Sequence, residues 1–288
     1  MVENHRVATD GGFGGRPCEV VGTRRPEGHP ADTPEIHLMI EGDTSHGLVQ
    51  GGEQQGVVRV EVDDGGGVGA GALYGIEFVP NVGFTASATL VNNMITLNPP
   101  ASAIQSIIGI RVNSVNASSS LTAYYNSVLI GGTSAGTATQ ALRIEATSFT
   151  NTTTVRNNIL FNARPGGSGA HYALDRATSN GTLNSNYNLL FGTGSPTAAN
   201  FLRLVNTDHN LTTWRTSSGT PDVNSIDGQA AGLTPAVFVN ASNGDLHVLG
   251  AQAAAAAFAN LGTNIAGVTT DYDGETRHAS RPDIGADE

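Results

Sequence analysis

Between Tyr74 and Phe191 one phrase is written four times, about 32 residues apart. A unit this short cannot bury its own apolar face, so copies at a fixed period must stack on one another. Each copy opens on a short strand with a polar residue set among apolar ones: Gly75-Ile76-Glu77-Phe78, Gly109-Ile110-Arg111-Val112, Ala141-Leu142-Arg143-Ile144 and Ala173-Leu174-Asp175-Arg176. A fifth opening follows at Phe201-Leu202-Arg203-Leu204. The first four copies then cross a Ser/Thr/Asn/Gly-rich bend to a second strand led by asparagine: Asn92-Asn93-Met94-Ile95, Tyr125-Asn126-Ser127-Val128, Arg156-Asn157-Asn158-Ile159 and Tyr187-Asn188-Leu189-Leu190.

The segments alternate with period two and are bounded by Gly, Asn and Ser, whereas helical repeats of similar length need apolar residues at three- and four-residue spacing. A coil of parallel strands follows, with each turn roughly 4.8 Å above the last and equivalent positions aligned in columns. Ile76, Ile110, Leu142, Leu174 and Leu202 form an inward column, and Glu77, Arg111, Arg143, Asp175 and Arg203 an outward one. In the second strand, Ile95, Val128, Ile159 and Leu189 are expected inside, together with Leu97, Ile130, Phe161 and Phe191. Asn93, Asn126 and Asn157 make a candidate asparagine ladder, with a slip or bulge where Asn188 falls one place late.

The phrases "NSVLIGGTSAGTATQALRI", "VRNNILFNARPGGSGAHYAL" and "PAVFVNASNGDLHVLG", with the ending "DYDGETRHASRPDIGADE", resemble secreted and surface-attached bacterial right-handed parallel β-helix proteins, relatives in fold of the pectate lyases. The resemblance covers about residues 75 to 288. It implies an all-β right-handed parallel β-helix, a secreted or cell-surface location and a polysaccharide or cell-surface glycan as partner. That fold hosts lyases, hydrolases and plain adhesins, so the fold alone does not choose among them.

Composition agrees with a narrow stacked core: 39% of the residues are hydrophobic and only 6% aromatic. The 14 cations are all arginine and face 25 carboxylates, for a net charge of −11. Nucleic acid, which needs a basic footprint, is thereby excluded as a partner. The single cysteine, Cys18, rules out an internal disulfide and a multi-cysteine metal site. No apolar run is long enough to span a membrane, and a monomer is expected.

Three regions follow. Residues 1–70 read as an irregular or partly disordered extension without a leader-like apolar run, although Val57 to Val62 alternates as a further coil turn would. Residues 71–250 are the coil. Residues 251–288 are a cap, in which alanine-dense Ala251 to Leu261 reads as a helix over the open end, followed by an acidic tail. A short helix from Leu211 to Arg215, capped by Asn210 and carrying Trp214, is expected along the coil's side.

Four constellations bear on chemistry. The outward ladder, with Arg143, Asp175 and Arg203 as candidate catalytic residues, reads either as a cross-strand charge ladder or as a strip gripping a carboxylated sugar, since arginine binds carboxylates bidentately. Asp271, Asp273 and Glu275 in "DYDGE", and Asp222 and Asp227 before Gly228, have the carboxylate spacing of turns that wrap Ca²⁺. Gly132-Thr133-Ser134-Ala135-Gly136 matches the G-x-S-x-G elbow of ester hydrolases, with Ser134 as nucleophile and His171, His209 or His247 as base; the motif works only between a strand and a helix. Asn206-Thr207-Asp208, Asp63-Asp64 and Ser45-His46-Gly47 imitate polygalacturonase motifs in reversed chain order and read as chance. Three functions follow: glycan engagement without catalysis, a Ca²⁺-assisted carbohydrate lyase or hydrolase on the outer face, or an ester or lactone hydrolase using Ser134.

Overall fold

The computed structural model describes residues 36–40, 45–51, 56–59, 72–80, 87–98, 106–113, 119–133, 138–145, 151–194, 200–217, 222–249 and 257–288. Most of the expected N-terminal extension, Ser134, and residues 251–256 of the expected C-terminal helix lie outside them.

Three strands precede the repeats: β1 (Ile36–Ile40), β2 (Ser45–Gly51) and β3 (Gly56–Arg59). The coil runs through β4 (Ala72–Pro80), β5 (Ser87–Leu97), β6 (Ser106–Val112), β7 (Ser120–Tyr124), β8 (Ser127–Ile130), β9 (Thr139–Ile144), β10 (Thr152–Arg156), β11 (Ile159–Asn162), β12 (His171–Arg176), β13 (Thr182–Asn186), β14 (Leu189–Gly192) and β15 (Leu202–Leu204). After it come β16 (Thr207–His209), helix α1 (Leu211–Ser217), β17 (Ile226–Asp227), β18 (Phe238–Asn240) and β19 (Asp245–Val248).

The strands stack as a parallel β-solenoid. One sheet is the parallel run β4-β6-β9-β12-β15, and a second face carries two parallel ladders, β5-β7-β10-β13 and β5-β8-β11-β14-β17. Strand β5 serves both, pairing β7 with its first half and β8 with its second. At the first turn β2 and β3 pair antiparallel with β5 and β4, covering edges that would otherwise template further pairing.

The predicted columns of the first sheet hold: Ile76, Ile110, Leu142, Leu174 and Leu202 are register partners, and so are Glu77, Arg111, Arg143, Asp175 and Arg203. The expected Ser/Thr-rich bend, however, contains a third strand per turn. β7, β10 and β13 read SLTAY, TTTVR and TLNSN, with Leu121, Ala123, Thr153 and Val155 buried in alternation. Threonine is β-branched and suits a pleated, half-buried surface as well as valine does.

The asparagine ladder exists, but its third rung is Asn158 rather than Asn157. The amide of Asn93 donates to Asn126 Oδ1 at 2.6 Å, that of Asn126 to Asn158 Oδ1 at 2.8 Å, and that of Asn158 to Asn188 Oδ1 at 3.1 Å. Each backbone N–H along this series repeats the same step, and no slip occurs at Asn188. The residue before each rung turns the corner in the left-handed region: Asn92, Tyr125, Asn157 and Tyr187 have φ between 53° and 58°. Such a φ is costly for tyrosine. The bonded rung beside it holds the bend.

The corrected register moves the second-strand columns by one place. Ile95, Val128, Leu160 and Leu190 point inward. Ile159, Leu189 and Phe161, expected inside, join Met94 and Leu129 on the outer side, under Leu233, Val237, Phe238, Leu246, Phe258, Ile284 and Ala286. Phe161 and Phe191 do stack, at 4.0 Å between centroids, but on that outer side.

The two C-terminal elements exchange their expected places. Helix α1, capped by Asn210 through a 2.9 Å bond from Thr213 N, lends Leu211 and Trp214 to the interior cluster and closes the coil's end. Residues 257–288 instead run along the side, and among them 257–260 form a turn. Arg277 fastens this cover: it donates to Asn92 Oδ1 and to the carbonyls of Gly285 and Ala286, and lies 3.9 Å over the Tyr125 ring. Tyr125 Oη and Asn157 Nδ2 both donate to the carbonyl of Thr263.

Removing a rung strands its neighbours, since Asn126 also donates to the buried carbonyl of Leu90. Asn126→Ala is expected to lower unfolding free energy by about 2–4 kcal/mol. Urea unfolding within 0.5 kcal/mol (roughly the surface-substitution range) of the parent would contradict the ladder.

Candidate functional site

Among the described residues, five buried polar atoms without a hydrogen bond lie together on the outer face of the first sheet. Register pairing skips Gly75, Gly109, Ala141 and Ala173. These positions sit against the facing ladder, where a Cβ on Gly75 would lie 2.6 Å from both the Gly109 carbonyl and the Ile95 side chain. Because alternation breaks there, Tyr74 and Tyr172 reach the same face as the charged column three residues on. Tyr74 Oη accepts from Arg111 at 3.1 Å, and the Arg203 guanidinium lies 5.6 Å from the Tyr172 ring centre. Gln140 is the register partner of Tyr172.

The upper rungs are matched charge. Arg111 bridges Glu77 and Glu145, the latter at 2.6 and 2.7 Å. Arg143 Nε lies 2.7 Å from Glu145 Oε1 and 3.8 Å from Asp175 Oδ2, but its N–H is aimed at neither and makes no hydrogen bond.

Asp175 is the exception in this strip. It is 1% exposed, and neither carboxylate oxygen accepts a hydrogen bond. Burial pushes its carboxyl up to about 6, against the pull of Arg143 and Arg203. Desolvation prevails because the nearer guanidinium is beyond hydrogen-bond contact. Gln140 Oε1 and Arg203 Nε are likewise buried without a hydrogen bond. At the rim, Tyr172 Oη donates to Asp208 Oδ1 at 2.7 Å, and burial first, then Asp208, raises the phenol's pKa. The β15–β16 hairpin places Asp208 opposite Arg203.

Arg143, Asp175 and Arg203 therefore share one face on neighbouring strands. Sequence reasoning missed Gln140, Tyr172 and Glu145 and set Asp208 aside. Strict alternation points Tyr172 inward, and only the recurrence of Gly or Ala at one position of the strand signalled the break.

The other candidates disperse. Ser134 lies outside the described residues, and the described elements on either side, β8 and β9, are both strands. His171 is buried, its Nδ1 2.9 Å from Thr139 Oγ1 and Nε2 3.0 Å from the Gly166 carbonyl. Asp222 ends the asparagine ladder: its oxygens accept from Ser185 Oγ, Asn188 Nδ2, Ser225 Oγ and Trp214 Nε1. Asp227 closes a turn by accepting from the N–H groups of Gln229 and Ala230. Asp271 is buried and accepts from the N–H groups of Asp273, Glu275 and Glu288. Glu275 is exposed.

Among the described residues, the convergent ligand-type set is His247, Asp273 and Asp287, whose ligand atoms lie within 4.8 Å of one another. His247 spans Asp245 Oδ1 at 2.5 Å and Asp273 Oδ2 at 2.7 Å. Its pKa is raised: burial would lower it, but the bonds to these two carboxylates outweigh that.

The fold and face define a parallel β-solenoid with a partly unsatisfied charged strip. No family model matches the chain, and neither curated proteins nor solved structures give a significant match. Among the described residues no helix is long and apolar enough to cross a membrane.

Two pH-dependent outcomes follow. Asp175 carries a folded-state pKa above its unfolded value, so its ionised form destabilises the fold above about pH 6, and the penalty fades as pH falls toward 4. Asp175→Asn should stabilise by about 1–3 kcal/mol at neutral pH and by nothing near pH 4 in urea unfolding; a pH-independent difference would refute this. His247 has the opposite sense. Its raised pKa contributes stability in full below the unfolded histidine value and loses it as pH rises through the folded value. The cost of His247→Gln should therefore be larger in acid than in alkali, and an equal cost at both would count against the clamp.

Proposed function

We propose that the chain is a secreted or surface-attached β-solenoid that engages polysaccharide or cell-surface glycan, without catalysis, through the outer face of its first sheet. The supporting observation is the unspent hydrogen-bonding capacity of adjacent groups on β9, β12 and β15: Gln140 Oε1, both oxygens of Asp175, and the Nε of Arg143 and of Arg203. Buried polar atoms without partners are expensive. A face that keeps several together is suited to a ligand rich in hydroxyl groups. Arg143, 27% exposed at its side chain, is the accessible member beside buried Asp175.

Retention on immobilised polysaccharides and signals on a broad glycan array test this reading. The parent should bind, and Arg143→Ala with Arg203→Ala should weaken binding by at least about tenfold, the equivalent of ~1.4 kcal/mol. No binding to any glycan would remove it.

A second reading is favoured by the Asp175 carboxyl at about 6, close to the range for general acid–base work. In this reading the face is a Ca²⁺-assisted lyase or hydrolase, with Arg143, Asp175 and Arg203 touching substrate. Polysaccharide cleavage abolished both by chelator and by Asp175→Ala would establish it, and turnover unchanged by both would reject it.

A further inference from the structure

We infer that the saccharide taken by this face is neutral: adjacent sugar hydroxyls donate to Asp175 and Gln140 and accept from Arg143 and Arg203, and no uronate carboxylate is gripped. This rests on reading the face as a glycan site and narrows it to a ligand class.

The inventory of unspent atoms carries the choice. Three are acceptors, namely Asp175 Oδ1, Asp175 Oδ2 and Gln140 Oε1, and two are donors, the Nε groups of Arg143 and Arg203. A carboxylate only accepts, so a ligand carboxylate placed here could serve only the two donors, and the three acceptors would still need hydroxyls. A hydroxyl both donates and accepts, so neighbouring hydroxyls of one ring can meet both kinds.

Charge points the same way. The strip and its rim hold Glu77, Glu145, Asp175 and Asp208 against Arg111, Arg143 and Arg203, and Arg59 is the register partner of Glu77 at the end of the column. Arg111 is committed to Glu77 and Glu145, and Arg143 lies beside Glu145. A further carboxylate would therefore meet Asp175, whose side chain is 1% exposed, in a poorly solvated setting, where like charges repel strongly. An uncharged diol pays none of that cost. Asp175 is reached past Arg143, whose side chain is 27% exposed and would exchange its ion pairs with Glu145 and Asp175 for the ligand on swinging aside.

The test uses the full chain on two matched sets: neutral polymers (glucan, mannan, galactan) and polyuronates (polygalacturonate, alginate), followed by affinity electrophoresis and calorimetry at low and high salt. Expected is binding to at least one neutral polymer with little salt dependence. Asp175→Asn should weaken it about tenfold, as for loss of a hydrogen bond to a charged acceptor, and Gln140→Leu should weaken it independently; circular dichroism and urea unfolding verify that both fold. Preference for polyuronate, with salt-sensitive binding that tightens in Asp175→Asn, would overturn the inference and leave the glycan reading standing. Failure to bind any polymer of either set would overturn the glycan reading itself.

Discussion

The buried asparagine ladder is the interaction on which the remaining geometry depends. A slip of one residue exchanges the inner and outer faces of a strand. The apolar/charged alternation of the first sheet opposes this, but the second-face strands β8, β11 and β14 are apolar on both sides and specify their register weakly by pattern alone. The ladder removes that freedom. Asn126 accepts from the backbone and side chain of Asn93 below and donates to Asn158 above. A slipped turn would thus leave several buried polar groups unmet, each costing on the order of 1–3 kcal/mol. The corner residues Asn92, Tyr125, Asn157 and Tyr187 are held in the left-handed region beside it. The series ends in Asp222 and Ser225, which take the bonds a further asparagine would have taken, and Asp222 in turn ties down the Trp214 indole at the coil's end.

From that register the two covers of the coil follow. The face bearing Met94, Leu129, Ile159, Phe161 and Leu189 is as apolar as the interior, and the C-terminal segments bury it. The first sheet carries charge outward, and on that side Glu77, Gln140, Tyr172 and Asp175 are nonetheless buried. Its strip is largely self-neutralised, Arg111 tying three turns through Glu77 and Glu145. Asp175 departs from this pattern: a desolvated carboxylate without a hydrogen bond is costly to keep, and groups that oppose stability belong disproportionately to sites that do something else.

How much of this was legible in the chain varied with the physics behind each feature. The first-sheet columns could be read directly, because period-two alternation and a near-constant spacing leave one solution for Ile110, Leu142 and Leu174. The ladder was legible in kind but displaced at the Asn157-Asn158 pair. Residue type cannot say which of two adjacent asparagines turns the corner and which bonds inward; the backbone decides. That one-place error carried Ile159, Leu189 and Phe161 to the wrong side. The β7, β10 and β13 strands were hidden by their Ser and Thr content, which serves bends and pleated strands alike. The exchange of roles between the Trp214 helix and the C-terminal segment was not legible, because an apolar stripe says that a surface is buried without saying against which other. For the site, the in-line partners Arg143, Asp175 and Arg203 were visible as a column, while Tyr172 and Gln140 needed the break at Ala141 and Ala173.

The measurement that bears most directly on the stacking is native-state hydrogen exchange at single-residue resolution. The backbone amides of Asn93, Asn126 and Asn158 each donate to the side-chain oxygen one turn away, so they should belong to the slowest-exchanging class and open only with global unfolding. If these three exchange as fast as amides of exposed turns, while segments about 32 residues apart protect independently of one another, the turns are not held by a common ladder and the strip on the first sheet loses its basis.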